Sequence, residues 1–229
     1  MVDAARQSGA SGFALASSVK AVGEMSNGAW NSATVPKPVD SYGASKPEAE
    51  TMPRERGGAM RISILRCPLV YGPRMRGDML RLFQLIDKGW PIPVGDTKNA
   101  RGLLVVGNSA AAIRRVLEVT RATDLGTPNV PVFLAAGIPI STAARLRDVA
   151  HVLGASGRTF SAPIRTRGRL FGSGRPAAGG CATGLGAIVN RLAGSLEADE
   201  REFGDVFAFT APFTREDGFA ETVRWFRSR

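Results

Sequence analysis

The sequence predicts an α/β protein built on a parallel sheet, and three observations lead there. Short apolar runs alternate with stretches that carry apolar residues at helical spacing. Loops marked by Gly and Pro separate them. A chain of 229 residues with 44% hydrophobic content can bury a sizeable core. Strands alternating with helices in this way argue for parallel strands joined by crossover helices.

The elements follow in order. Residues 12–19, Gly-Phe-Ala-Leu-Ala-Ser-Ser-Val, read as a short buried strand. Residues 24–41, with Gly28, Pro36 and Pro38, read as a loop. A helix should start near Ser41 or Tyr42 and end by about Met52, before Pro53. Pro47 has no N–H and disfavours helical geometry at Lys46, so it fits without a kink only in the first turn. Met60 to Cys67 reads as a second buried strand, and Pro68 to Pro73 as the loop beyond it. Residues 77–89 carry Met79, Leu80, Leu82, Phe83, Leu85 and Ile86 at helical spacing. Gly89 to Gly95 is a turn, Leu103 to Val106 a short strand, and 108–121 a helix with Asn108 or Ser109 as N-cap. Val130 to Ala135 is a strand, and Ser141 caps a helix that runs through about Val152. Residues 154–185 are rich in Gly, Arg, Ser and Ala without periodicity and should be loop-rich. Glu216 to Arg227 is a terminal helix with Thr214 as candidate cap.

Composition narrows the function. The net charge is +10, but the basic residues are scattered and no aromatic residues interleave with them, so nucleic acid is not the expected partner. Many of them are Arg in a chain rich in Ala and Gly, which is the better reading of the charge, and a basic cleft for an anionic ligand would suit it as well. No apolar stretch reaches transmembrane length and no secretory signal is visible, so no membrane insertion and a cytoplasmic location are expected. Two cysteines, Cys67 and Cys181, make no disulfide framework. No Cys or His cluster suggests a metal, and the single histidine, His151, reads as a surface or packing residue.

The chemistry is concentrated in Ser41-Tyr42-Gly43-Ala44-Ser45-Lys46, together with Ser18 at the end of the first strand. A Tyr and a Lys four apart share one helix face. A phenol ionises near pH ~10, and a neighbouring cation stabilises its phenolate and makes it a useful proton carrier nearer neutrality. A serine at the end of a buried strand can add a hydrogen bond to a substrate oxygen. Ser17, beside it, reads as structural.

This Ser…Tyr-x-x-x-Lys set resembles that of the extended short-chain dehydrogenases/reductases, the branch of NAD-dependent epimerases and dehydratases that act on nucleotide sugars. Four blocks carry the resemblance in the expected order: Ala16 to Glu24, Tyr42 to Glu50, Leu65-Arg66-Cys67-Pro68-Leu69-Val70-Tyr71-Gly72-Pro73, and Asn99-Ala100-Arg101-Gly102-Leu103. The pattern is most similar to UDP-sugar 4-epimerases and to UDP-N-acetylquinovosamine-type dehydrogenases of polysaccharide assembly. It implies a doubly wound NAD(P)-binding Rossmann-like sheet with a small substrate-binding lobe. Residues 1–150 would be the partial NAD-binding domain, interleaved with substrate-lobe segments, and 151–229 mainly the C-terminal substrate lobe. The family's Gly-rich turn and first strands would precede Met1, so an N-terminally truncated member is expected. Gly9 and Gly12 precede the serine strand, open no helix and cannot substitute.

The resemblance also assigns roles. Ser18, Tyr42 and Lys46 would be catalytic, with Lys46 also holding the nicotinamide ribose. Ala16, Cys67 and Pro68 would pack against NAD, although a buried small hydrophobe is much the commoner role for a free cysteine such as Cys67. Arg101 would bind the pyrophosphate of a UDP-sugar, with Asn99 and Lys20 in the same pocket. Arg191 lies in a looser match and reads equally as a helix-surface arginine. Three positions depart from the pattern: Gly102 stands for a Ser, Gly107 for a helix-capping Asp, and Leu69 for an Asn that contacts substrate phosphate in many epimerases. The function implied is UDP-sugar epimerase or dehydrogenase chemistry. The alternatives are an inactive remnant, or a nucleotide-sugar binding module without the NAD site. A homodimer through the Tyr42/Lys46 helix is implied as well.

Overall fold

The computed structural model describes residues 1–92, 98–122, 131–134, 139–156, 158–160, 194–199 and 201–229. Its centre is a three-stranded parallel sheet in the order β1-β3-β6, formed by β1 (Gly12–Ser18), β3 (Arg61–Cys67) and β6 (Pro131–Phe133). The register pairs Gly12 with Arg61 and Ser18 with Cys67, so β1 and β3 end side by side. β6 pairs Ile64 with Pro131 and Arg66 with Phe133. Ile64, Leu65, Val132 and Phe133 are almost completely buried, which explains the near-continuous apolar runs of these strands.

Helix α1 (Val2–Gln7) precedes β1, and α2 (Ser41–Arg56) makes the crossover from β1 to β3. A 3-10 turn over Val19–Ala21 follows β1, with the Ser18 hydroxyl accepting from the Lys20 N–H. The Asp40 carboxylate caps α2 by accepting from the Gly43 N–H at 2.6 Å. Gly43 is needed here for room, because a Cβ would come within 2.8 Å of the Lys20 carbonyl oxygen.

Two expectations about α2 are corrected. The helix does not end before Pro53: it runs to Arg56 and contains both Pro47 and Pro53. Nor is Pro47 in the first turn. Each proline removes a backbone bond, but the helix is held at its start by Asp40 and in its middle by the buried Glu50, and Pro53 is itself buried.

The segment after Cys67 is also not all loop. Leu69–Tyr71 forms β4, which pairs in parallel with β5 (Leu103–Val105). Three residues whose partner lies more than thirty positions away leave no readable periodicity. Helix α3 (Gly77–Asp87) matches its predicted pattern. Helix α4 (Val106–Ala122) starts directly from β5, two residues before the expected cap. Asn108 is buried inside it and bonds Phe213 in both directions, its Nδ2 donating to the carbonyl and its Oδ1 accepting from the N–H, both at 2.9 Å. Helix α5 (Thr142–Leu153) has the expected Ser141 cap and ends at Gly154 in the left-handed region at φ 63°.

Three short elements were not anticipated. β2 (Ala29–Trp30), within the expected 24–41 loop, pairs in parallel with β7 (Glu197–Ala198). Helix α6 (Arg201–Phe207) buries Phe203 and Phe207, four apart, against the β3/β6 face and α4. The last helix, α7 (Arg215–Arg227), has the predicted Thr214 cap, strengthened by the reciprocal bond from the Thr214 N–H to Asp217. It packs Phe219 on Tyr71, with ring centroids 4.7 Å apart, inside the core shared with α3 and α5.

Most of the stretch expected to be loop-rich, 154–185, lies outside the described residues, as do Cys181 and Arg191. Among the described residues no helix is long and apolar enough to cross a membrane, and no group of three or more His, Cys, Asp or Glu side chains is placed to hold a metal ion.

Candidate active site

Parallel strands open a crevice at their carboxyl ends, and ligands of α/β sheets bind there. Here the ends of β1 and β3 and the start of α2 surround a cavity of about 640 Å³. Ala16, Ser18 and Lys20 line it from β1 and the turn beyond, and Tyr42 from α2. Cys67 and Pro68 line it from the end of β3, and Arg101 and Gly102 from the segment before β5. Six of the predicted site residues therefore share one cavity with Tyr42.

Tyr42 is 51% exposed, so its phenol is open to a ligand. Lys46 is not part of the lining, but it lies one helical turn behind with its ammonium 4.7 Å from the Tyr42 ring centroid. The helix spacing thus delivers the Tyr–Lys neighbourhood that the sequence implied. Ser18 is half-buried at the rim. Its neighbour Ser17 also borders the cavity but is buried, its hydroxyl donating to Glu50 Oε1 at 2.6 Å. Glu50 in turn accepts both Nε and Nη2 of Arg66, at 3.0 and 2.7 Å. This buried cluster ties α2 to the sheet directly behind the cavity.

The Lys20 ammonium is already engaged: it bonds Glu24 and, at 2.9 Å, Asp40. Burial works against its charge, but these bonds outweigh burial and raise its pKa above the ordinary lysine value. Asp40 is held below the usual carboxylate range, first by the Gly43 N–H and then by Lys20. Glu24 and Asp40 were not singled out from the sequence. Their signals were the i,i+4 spacing from Lys20 and the Asp immediately before a helix.

Burial pushes the Cys67 thiol up to about 11, and it pulls the Arg101 pKa down, with the charge of Glu24 opposing. Arg101 donates from Nη1 to the Gly194 carbonyl at 3.0 Å. Asn99 is placed differently from its predicted role. It is buried and spans Thr142 and Gly194, donating from Nδ2 to both and accepting the Thr142 N–H on Oδ1, and it does not belong to the cavity lining. His151 is exposed on α5, away from the cavity.

The comparisons with known proteins agree with this architecture. A sequence model described as the NAD dependent epimerase/dehydratase family matches residues 1–129. A UDP-glucose 4-epimerase of Vibrio cholerae is 30% identical over 196 residues, which cover 82% of this chain and 54% of that protein. The chain thus spans about half the length of this curated relative. Among solved structures, a UDP-glucuronic acid 4-epimerase from Bacillus cereus in complex with NAD superposes with a TM-score of 0.74 at 16% identity, covering 99% of this chain and 65% of that one. MoeE5, in complex with UDP-glucuronic acid and NAD, superposes with a TM-score of 0.71 at 24% identity, covering 99% and 68%. At these identities the likeness is one of fold: a Rossmann-type α/β sheet.

Proposed function

The chain belongs to the NAD dependent epimerase/dehydratase family, and from that premise we propose that its cavity is a UDP-sugar site in which Tyr42 performs acid–base chemistry on a sugar hydroxyl. The observation that carries this reading is the convergence of Tyr42, Ser18 and Arg101 on one cavity, with the Lys46 ammonium against the Tyr42 ring.

Tyr42 takes the proton from the hydroxyl, at C4 in an epimerase reaction. Lys46 supplies the positive charge that stabilises negative charge developing on the phenol. Ser18 donates to the same substrate oxygen and holds it toward Tyr42. Arg101 offers a guanidinium fork to phosphate oxygens on the far side of the cavity. The residues suit the nicotinamide end of NAD: Ala16 is exposed at the end of β1, and Cys67 and Pro68 close the end of β3 beside it. NAD bound there would accept hydride from the sugar carbon whose hydroxyl Tyr42 deprotonates. Return of that hydride to the opposite face is epimerisation, and release of the keto sugar is dehydrogenation.

The test is turnover of UDP-glucose and UDP-N-acetylglucosamine with NAD, followed by chromatography for epimers and by absorbance for NADH. Tyr42→Phe should lower the rate by roughly 10²- to 10⁴-fold. Wild-type turnover in that variant, or no UDP binding by calorimetry, overturns the reading. Saturable UDP binding with neither NAD binding nor turnover selects the alternative, a nucleotide-sugar binding module. The implied dimer through α2 is of the same standing. That helix leaves Met52 47% exposed, and Met52→Lys should shift a dimer toward monomer in sedimentation.

A further inference from the structure

Two core arginines of this protein are treated in opposite ways. Arg66 is 3% exposed and fully paired by Glu50. Arg145 is 0% exposed, and none of its Nε, Nη1 and Nη2 atoms has a hydrogen-bond partner. A guanidinium does not shed its proton near neutrality, and a buried, unpaired charge is strongly destabilising. Such a side chain calls for an anion.

Its position says which anion. Arg145 lies in the first turn of α5, and Ile140, just before the Ser141 cap of that helix, is fastened to Arg101. The Arg101 N–H donates to the Ile140 carbonyl at 3.1 Å, and the Ile140 N–H returns a bond to the Arg101 carbonyl at 3.2 Å. Burial, and after it the charge of Arg101, pull the Arg145 pKa down, so the two guanidinium groups feel each other. The nearby carboxylates are committed elsewhere: Glu24 to Lys20, and Asp148, one turn along α5, to Arg215 at 3.3 Å. The helix start makes no demand of its own, because Asn99 and Ser141 accept the Thr142 and Ala144 N–H groups. What remains without a hydrogen-bond partner is the Arg145 guanidinium itself.

We propose that Arg145 is a positioning residue for the anion site at Arg101, its buried charge adding to the pull of Arg101 on the diphosphate of a nucleoside diphosphate sugar. The proposal rests on the nucleotide-sugar reading of the cavity. Arg101 lines the cavity and meets the phosphates, whereas Arg145 sits behind it and acts as a positioning residue through its charge, in surroundings where water screens little. A diphosphate brings at least two negative charges to two cations, so binding compensates a charge that folding alone leaves uncompensated.

The experiment is calorimetry of the full chain with UDP and with uridine, alongside melting of the ligand-free protein, for wild type, Arg101→Ala, Arg145→Leu, Arg145→Met and Arg145→Lys. The Leu and Met variants should bind UDP on the order of tenfold to a hundredfold more weakly, bind uridine unchanged, and melt at a higher temperature without ligand. The Lys variant should keep UDP affinity within a few fold. Unchanged UDP affinity in the Leu and Met variants, with Arg101→Ala weakened, overturns the role of Arg145 and leaves the nucleotide-sugar reading standing. Equal loss for Lys and Met, or a lower ligand-free melting temperature in both apolar variants, also overturns it. Wild type that binds no UDP overturns both readings. Should Arg145→Leu fail to fold, the Met and Lys pair decides.

Discussion

Tyr42 and Cys67 border the same cavity, yet burial prepares them for opposite behaviour. Tyr42 is half exposed at the helix start, while Cys67 ends a buried strand with 8% exposure. Desolvation is the cause of the Cys67 shift to about 11, and it leaves about one thiol in a thousand ionised at pH 8. The thiolate is the reactive species. Iodoacetamide at pH 8 should therefore label Cys67 slowly in the folded protein and at the rate of a free thiol in guanidinium, with the adduct located by peptide mass spectrometry. Equal rates in the two conditions would show that the strand end is open to solvent. The same burial makes Cys67 a wall of the cavity rather than a nucleophile, in keeping with its reading as a small hydrophobe.

At the scale of elements, α2 shows what local sequence can and cannot say. Its start was legible because Tyr42-x-x-x-Lys46 needs a helix and Ser41 opens it, although its cap, Asp40, was not singled out. Its end was not legible. A proline rule is local, whereas Pro53 is carried by burial and by the anchorage of Glu50. The cap offers a test. Asp40→Ala should lower stability by about 1 kcal/mol, measured as a drop in melting temperature of roughly 2–4 °C. The sign of the pH dependence follows from the depressed Asp40 pKa. Its contribution is present above the ordinary carboxyl value and is lost as pH falls through the lowered one. Asp40→Asn keeps a capping oxygen without the titration, so its melting temperature should fall less steeply in acid than that of wild type. A parallel acid limb in the two proteins would remove Asp40 from that transition.

For the molecule as a whole, the site was legible where chemistry sits at short spacing and obscure where chain segments meet from afar. Ser18, the Tyr–Lys pair, Cys67-Pro68 and Arg101 each stand in a short block, and all but Lys46 line one cavity. The β4–β5 and β2–β7 pairings, the diversion of Asn99 to Thr142, and the isolation of Arg145 depend on contacts between distant segments, which no local pattern encodes. The Ser17–Glu50–Arg66 cluster is the clearest such contact, since it joins β1, α2 and β3 behind the cavity with Glu50 and Arg66 side chains only 3% and 4% exposed. Removing one partner strands the other as a buried charge. Glu50→Leu or Arg66→Met alone should therefore cost about 3–5 kcal/mol in urea unfolding. The double variant replaces the pair with apolar groups and should recover most of that loss, because no unpaired charge remains. Losses that simply add in the double variant would mean that the two side chains contribute independently. Recovered stability together with unrecovered turnover would instead assign the cluster to holding Tyr42 in register with Ser18, since α2 would then be folded but no longer fixed against the strand that carries its catalytic neighbour.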